Sequence, residues 1–141
     1  MTYHARDRDL LEGTYDLLNE VAKSNREYKT RLARYDQPAT WRVSYFERFL
    51  ALAAGHGIEV RLFLTPMHPD TVAYLRREDI SLDRQREQVR ELTATLAAEY
   101  GAQVHDFTDV AALGIDPTDA FYDGVHPRVE LTRCMLTKLM E

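Results

Sequence analysis

Cysteine is nearly absent from this chain: Cys134 is the single thiol among 141 residues. One thiol excludes an intramolecular disulfide and any cysteine-based zinc cluster. No apolar run approaches the ~18 residues needed to cross a bilayer. The opening stretch, Met-Thr-Tyr-His-Ala-Arg-Asp-Arg-Asp, has no apolar core of a signal peptide, so a cytoplasmic protein is expected for the chain as given, and the location is open if an N-terminal part precedes it. A basic excess is missing as well. Eighteen Lys and Arg against 23 Asp and Glu give a net charge of −5, which argues against a nucleic-acid partner. There is no Gly-rich phosphate loop, since Gly55-His-Gly57 lacks the rest of any nucleotide fingerprint, and no cofactor is implied.

What is present is ordinary for a globular protein: 45% apolar and 29% charged residues, without repeats or low-complexity stretches. The length corresponds to one domain and suffices to bury about 68–70% of the unfolded surface. Residues 7–35 have helical spacing through Leu11, Tyr15, Leu18, Ala22, Tyr28, Leu32 and Tyr35. Asp36-Gln-Pro38 breaks this run, which separates a charged helical segment (1–38) from the remainder (39–141). Thr40 suits the N-cap of a second helix that would bury Tyr45, Phe46, Phe49, Leu50 and Leu52 and stop at Gly55-His-Gly57.

Ile58 to Leu64 alternates as a strand, and Phe63 makes its far end apolar on both faces. Thr65-Pro66-Met67-His68-Pro69 ends it. A helix over 83–100 follows, with Val89, Leu92, Leu96 and Tyr100 on one face and Gly101 closing it. Arg76, Arg77, Arg84, Arg86 and Arg90 read as a solvated helix face. Gln103–Phe107 is a weaker strand, 108–126 a loop, and Pro127 opens a final helix carrying Leu131, Met135 and Leu139. The order predicts an α/β fold whose strand–helix–strand unit is a parallel crossover. Two strands are few for a buried parallel sheet, so completion by a missing N-terminal part or a partner subunit is expected.

The strongest chemical signal is Phe121-Tyr-Asp123-Gly-Val-His126-Pro127. An Asp and a His three residues apart across a glycine can face each other. The carboxylate then fixes one imidazole nitrogen and leaves the lone pair on the other for proton transfer. Gly124 is expected to permit the tight turn. A turn Asp with a helix-capping His is the plainer alternative. Thr65 and His68 follow the C-terminal end of the best strand, where ligands of open α/β sheets collect, and are candidate substrate-binding residues. A rigid exit loop shaped by Pro66 and Pro69 is the competing explanation. None of His4, His56, His68, His105 and His126 pairs at helical spacing with another. A His68–His126–Asp123 metal site is the minor alternative, and no metal is assigned.

Asp123-Gly-Val-His126 before a terminal helix resembles the last block of SGNH/GDSL hydrolases. The segment Gly55-His-Gly57-Ile58 with Val-Arg-Leu-Phe-Leu-Thr-Pro-Met-His-Pro, and Tyr100-Gly101 with Val104-His-Asp-Phe107, are similar to bacterial SGNH-like proteins related to polysaccharide O-acetylation. The resemblance covers roughly residues 41–140. It implies a three-layer α/β/α, flavodoxin-like architecture, of which few parallel strands are present here. It also implies ester chemistry on an acyl ester or polysaccharide substrate, with His126 as general base and Asp123 as its orienting carboxylate.

The chain departs from that pattern at the nucleophile. Its serines are Ser24, Ser44 and Ser81, and none lies in a Gly-Asp-Ser setting after an apolar strand. Cys134, on a helix, reads as a structural thiol. The nucleophile and the oxyanion donors that the resemblance implies are thus expected upstream of residue 1, on another polypeptide, or lost. Triad-type acceleration is not expected from this chain alone. The competing expectation is a non-catalytic α/β domain acting by self-association into a homo-oligomer or by partner binding at an exposed sheet edge.

Overall fold

The computed structural model describes residues 3–141, and their side chains except those of residues 3–5, 118 and 119. The N-terminal helical run is divided in two, α1 (Tyr3–Leu11) and α2 (Leu17–Leu32). Gly13 adopts a left-handed conformation, and the Asp16 side chain accepts from the Asn19 N–H to cap α2, so the local hydrogen bonding breaks one helix into two. α2 packs against α4 (Pro69–Arg77).

α3 (Thr40–Gly55) begins one residue earlier than expected. Ala39 takes the N-cap position, and Thr40 is already helical. Its buried side is also narrower than the apolar residues suggest: Leu50 and Ala53 are buried, while Trp41, Tyr45, Phe49 and Leu52 face outward. The C-terminus explains why the following strand is shorter than 58–64. Gly57 is left-handed, with Gly57 N–H to Ala54 O at 3.0 Å and Ile58 N–H to Ala53 O at 2.9 Å. This is a Schellman closure, and it holds Ile58 to the helix end rather than to the sheet.

β1 (Arg61–Leu64) pairs in parallel with β2 (Gln103–Asp106), Leu62 opposite Val104 and Phe63 opposite His105. Among the described residues the sheet has these two strands. The connection carries α4 and α5 (Leu82–Tyr100). α4 is absent from the expected order of elements, although Arg76 and Arg77 read as part of a helix face and His68-Pro69-Asp70 supplies the usual helix-start chemistry. α5 ends at left-handed Gly101, as the sequence suggests. Its buried side is Leu82, Gln85, Thr93, Leu96 and Ala97, with Leu92 and Tyr100 only partly covered and Val89 exposed.

After β2 the chain makes a 3-10 turn (Ala111–Leu113) and the short α6 (Pro117–Ala120). Pro127 forms an isolated antiparallel bridge with Phe121 and so lies outside α7 (Val129–Met140). Leu131, Met135 and Leu139 of α7 are all buried, as their spacing predicts, in a core with Phe107, Val110, Ala120 and Phe121. The class is mixed α/β, with helix dominant. No helix is long and apolar enough to cross a membrane among the described residues.

Candidate active site

The turn from Ala120 to Arg128 is built by its own hydrogen bonds. Arg128 N–H donates to Ala120 O at 2.8 Å and Tyr122 N–H to His126 O at 2.9 Å. Within it, the Asp123 carboxylate accepts from the Val125 and His126 backbone amides at 2.9 and 3.0 Å. This is the local bonding that Asp favours in turns, and it brings residue i+3 back over residue i. The His126 ring follows, with Nδ1 at 2.8 Å from Oδ2 and 3.0 Å from Oδ1 of Asp123.

Asp123 is only 4% exposed, whereas the His126 side chain is 48% exposed. Burial works to raise the Asp123 carboxyl, but hydrogen bonds from Val125, the His126 ring and the His126 amide outweigh it. The net effect holds the carboxyl below its usual range. Arg6 on α1 adds an ion pair to Oδ2 at 3.1 Å. An ionised Asp123 fixes a hydrogen on Nδ1 and places the ring's lone pair on Nε2, the arrangement a general base needs.

Four further hydrogen bonds tie the turn to the N-terminal segment and to the start of α4. Ser24 Oγ on α2 accepts from Gly124 N–H at 3.2 Å, and Gly124 O accepts from His68 N–H at 2.9 Å. The Tyr15 hydroxyl donates to Tyr122 O, and the Tyr122 hydroxyl donates to Asp7. That last bond, with burial and the charge of Asp7, pushes the Tyr122 phenol up to about 12. Gly124 itself is not left-handed. The expectation that it serves turn geometry is replaced by a steric one. A Cβ there would stand 2.4 Å from Thr71 Oγ1 and 2.7 Å from Ser24 Cβ, so only glycine lets the turn approach α2 and α4 so closely.

His126 borders a cavity of about 380 Å³ at the C-terminal ends of the strands. Thr65 stands on its wall, together with Leu64, Met67 and Val125. His68 is turned into the protein. It is 5% exposed, its Nδ1 accepts from Asp70 N–H at 3.1 Å as the α4 cap, and its ring meets Phe121 edge-on. Burial lowers its pKa, opposed by the charge of Asp70. Accepting from the Asp70 amide requires a lone pair on Nδ1, which leaves the ring hydrogen to Nε2. A lone pair committed to the Asp70 amide is not available to a cation. Among the described residues no group of three His, Cys, Asp or Glu side chains is placed to hold a metal ion, and the His4 side chain lies outside the described residues.

The serines stand in three different places. Ser24 is buried against Gly124, Ser44 lies on α3, and Ser81 precedes α5. Arg6 and Ser24 were not recognisable as site residues in the sequence, because each reaches the turn across about a hundred positions or more of chain. Comparison with family models, curated proteins and solved structures gave no match to this chain.

Proposed function

We propose that this chain is the C-terminal portion of an SGNH-like ester hydrolase or O-acyltransferase acting on acetyl esters of the carbohydrate class, with His126 as general base and Asp123 as its orienting carboxylate. The observation that carries the proposal is the Asp123–His126 pair. A buried carboxylate, held by two backbone amides and Arg6, grips Nδ1 of a ring that opens onto a cavity. The finer architecture we assign is a partial three-layer α/β/α arrangement. Leu64 shares the cavity wall with α5, and Phe63, one residue earlier and thus on the opposite face, lines an apolar hollow with Met135 and Leu139 of α7.

In this assignment Nε2 of His126 takes the proton of an attacking hydroxyl as its oxygen bonds to the acyl carbon. The carbonyl electrons move onto oxygen, the tetrahedral intermediate collapses, and the imidazolium returns the proton to the departing alkoxide. Asp123 stabilises the imidazolium throughout. A serine nucleophile and oxyanion donors would come from another polypeptide segment, since no serine of this chain lies on the cavity wall. Alone, the pair should activate water, slowly. Hydrolysis of p-nitrophenyl acetate by the purified chain tests this: turnover above buffer should vanish in His126→Ala, and turnover that survives the substitution overturns the assignment.

A second assignment, a non-catalytic domain that self-associates, is favoured by a separate observation. The outer edge of β1 has no strand partner among the described residues, and Trp41, Tyr45, Phe49, Leu52 and Ile58 are exposed on and beside α3. Exposed strand edges and apolar patches of this kind mark pairing surfaces. A strictly monomeric sedimentation mass at high concentration would count against it.

A further inference from the structure

The two oxygens of the Asp123 carboxylate are held by different parts of the chain. Oδ1 accepts from the Val125 and His126 amides at 2.9 and 3.0 Å, bonds made within the turn itself. Oδ2 is the oxygen nearer the ring, 2.8 Å from His126 Nδ1, and it accepts from Nη1 of Arg6 at 3.1 Å across 117 positions of sequence. The division matters because the carboxylate torsion of Asp is soft. Amides on one oxygen fix that atom and leave the plane of the group free to twist about it. A donor on the second oxygen removes that freedom, so Arg6 sets the line from Oδ2 to Nδ1. The Asp123 side chain is 5% exposed and that of Arg6 17%, a setting in which a charge-assisted bond is less screened than at the surface.

α1 contributes little else to the fold. None of its described side chains is buried, and Leu11 is 90% exposed. Its polar anchors converge instead on adjacent residues of one turn, Arg6 on Asp123 and Asp7 on the Tyr122 hydroxyl. Tyr15, just beyond the helix, donates to Tyr122 O. Nη2 of Arg6 lies 3.8 Å from Glu20 Oε2 on α2, which steers the guanidinium from its other side. A planar fork can face two carboxylates at once in fixed directions, as a lysine ammonium cannot.

We propose that Arg6 is a positioning residue for the general base. By holding Oδ2 it keeps the Asp123 carboxylate in the plane that binds Nδ1–H, and so keeps the lone pair of His126 on Nε2. The N-terminal helix is thereby part of the ester site rather than an appendage that fastens onto it. This inference rests on the assignment of His126 as the base.

The test reads the ring directly, in the full chain, from long-range proton–nitrogen correlations at a pH where His126 is neutral. In Arg6→Met the ratio of Nδ1–H to Nε2–H ring should fall about three-fold or more, the scale of one partly covered ion pair, and the Nδ1 proton should exchange faster with water. Arg6→Lys should recover part of both effects. Glu20→Gln removes the other partner of Arg6 and should leave both unchanged. A latch that only fastens α1 would lower the urea midpoint of Arg6→Met while ratio and exchange stay at their wild-type values, and that result overturns the proposal. An equal loss in Glu20→Gln also overturns it, because the effect would then be general loosening. Should Arg6→Met not fold, Arg6→Gln, which keeps a polar group at this position, decides by the same comparison. A wild-type ring with its hydrogen on Nε2 overturns the base assignment and this inference together. A wild-type hydrogen on Nδ1 that Arg6→Met leaves undisturbed overturns this inference alone.

Discussion

Gly124→Ala is the sharpest structural perturbation available, because a single methyl group would enter the meeting point of the Asp123–His126 turn, α2 and α4. The new Cβ would lie 2.4 Å from Thr71 Oγ1, 2.7 Å from Ser24 Cβ and 3.3 Å from Thr71 Cγ2. Thr71 and Ser24 are both buried, so neither has solvent to retreat into. The turn must lift away, weakening the Gly124 N–H to Ser24 bond and the His68 N–H to Gly124 bond. Overpacking of this type costs about 1–3 kcal/mol, and one lost hydrogen bond about 0.5–1.5 kcal/mol, for a total of about 2–4 kcal/mol. With a urea slope of about 2 kcal/mol/M, the unfolding midpoint should fall by about 1–2 M. Urea titration followed by circular dichroism measures it. The cycle with Thr71→Ala, which removes both Thr71 contacts, should reveal a coupling of about 1 kcal/mol or more. If Gly124→Ala unfolds within about 0.5 kcal/mol of the wild type at unchanged slope, the close approach is not what requires glycine.

Two other outcomes follow from the same packing. His68 is buried neutral with its folded pKa below the unfolded value of about 6.5, so the unfolded chain takes up the proton first and stability falls as pH drops below that point. His68→Asn keeps a capping acceptor and should flatten the stability slope between pH 7 and 5 in urea titrations. An unchanged slope would contradict the burial of His68. Leu131→Ala empties a fully buried position in the α7 core and should cost about 2–5 kcal/mol by the same assay, whereas a loss under about 1 kcal/mol would place Leu131 outside the core.

The elements legible in the sequence are those whose signals are local. Gly101 ends α5 because a left-handed residue is needed there, and Leu131, Met135 and Leu139 lie four apart on the buried side of α7. Asp123 and His126 were visible for the same reason, since an Asp that bonds the amides two and three residues on draws the third side chain to itself. What the sequence concealed depends on contacts distant along the chain. The apolar residues of α3 do not reveal that most of them face outward. Arg86 sits in an arginine-rich stretch that reads as solvated, and only its place beside Gln85, within the buried stripe begun by Leu82, hints that it is partly covered. Arg6, which completes the bonding of Asp123, belongs to a helix whose charged sequence carries no mark of that role.

The assignment of the Asp123–His126 pair is tested most directly by the protonation pattern of the His126 ring, read from long-range proton–nitrogen correlations in labelled protein at a pH where the ring is neutral. The hydrogen should reside on Nδ1, donated to Asp123, with the lone pair on Nε2, and this preference should be lost in Asp123→Asn. A neutral wild-type ring with its hydrogen on Nε2 would contradict the pairing and, with it, the role of His126 as a base.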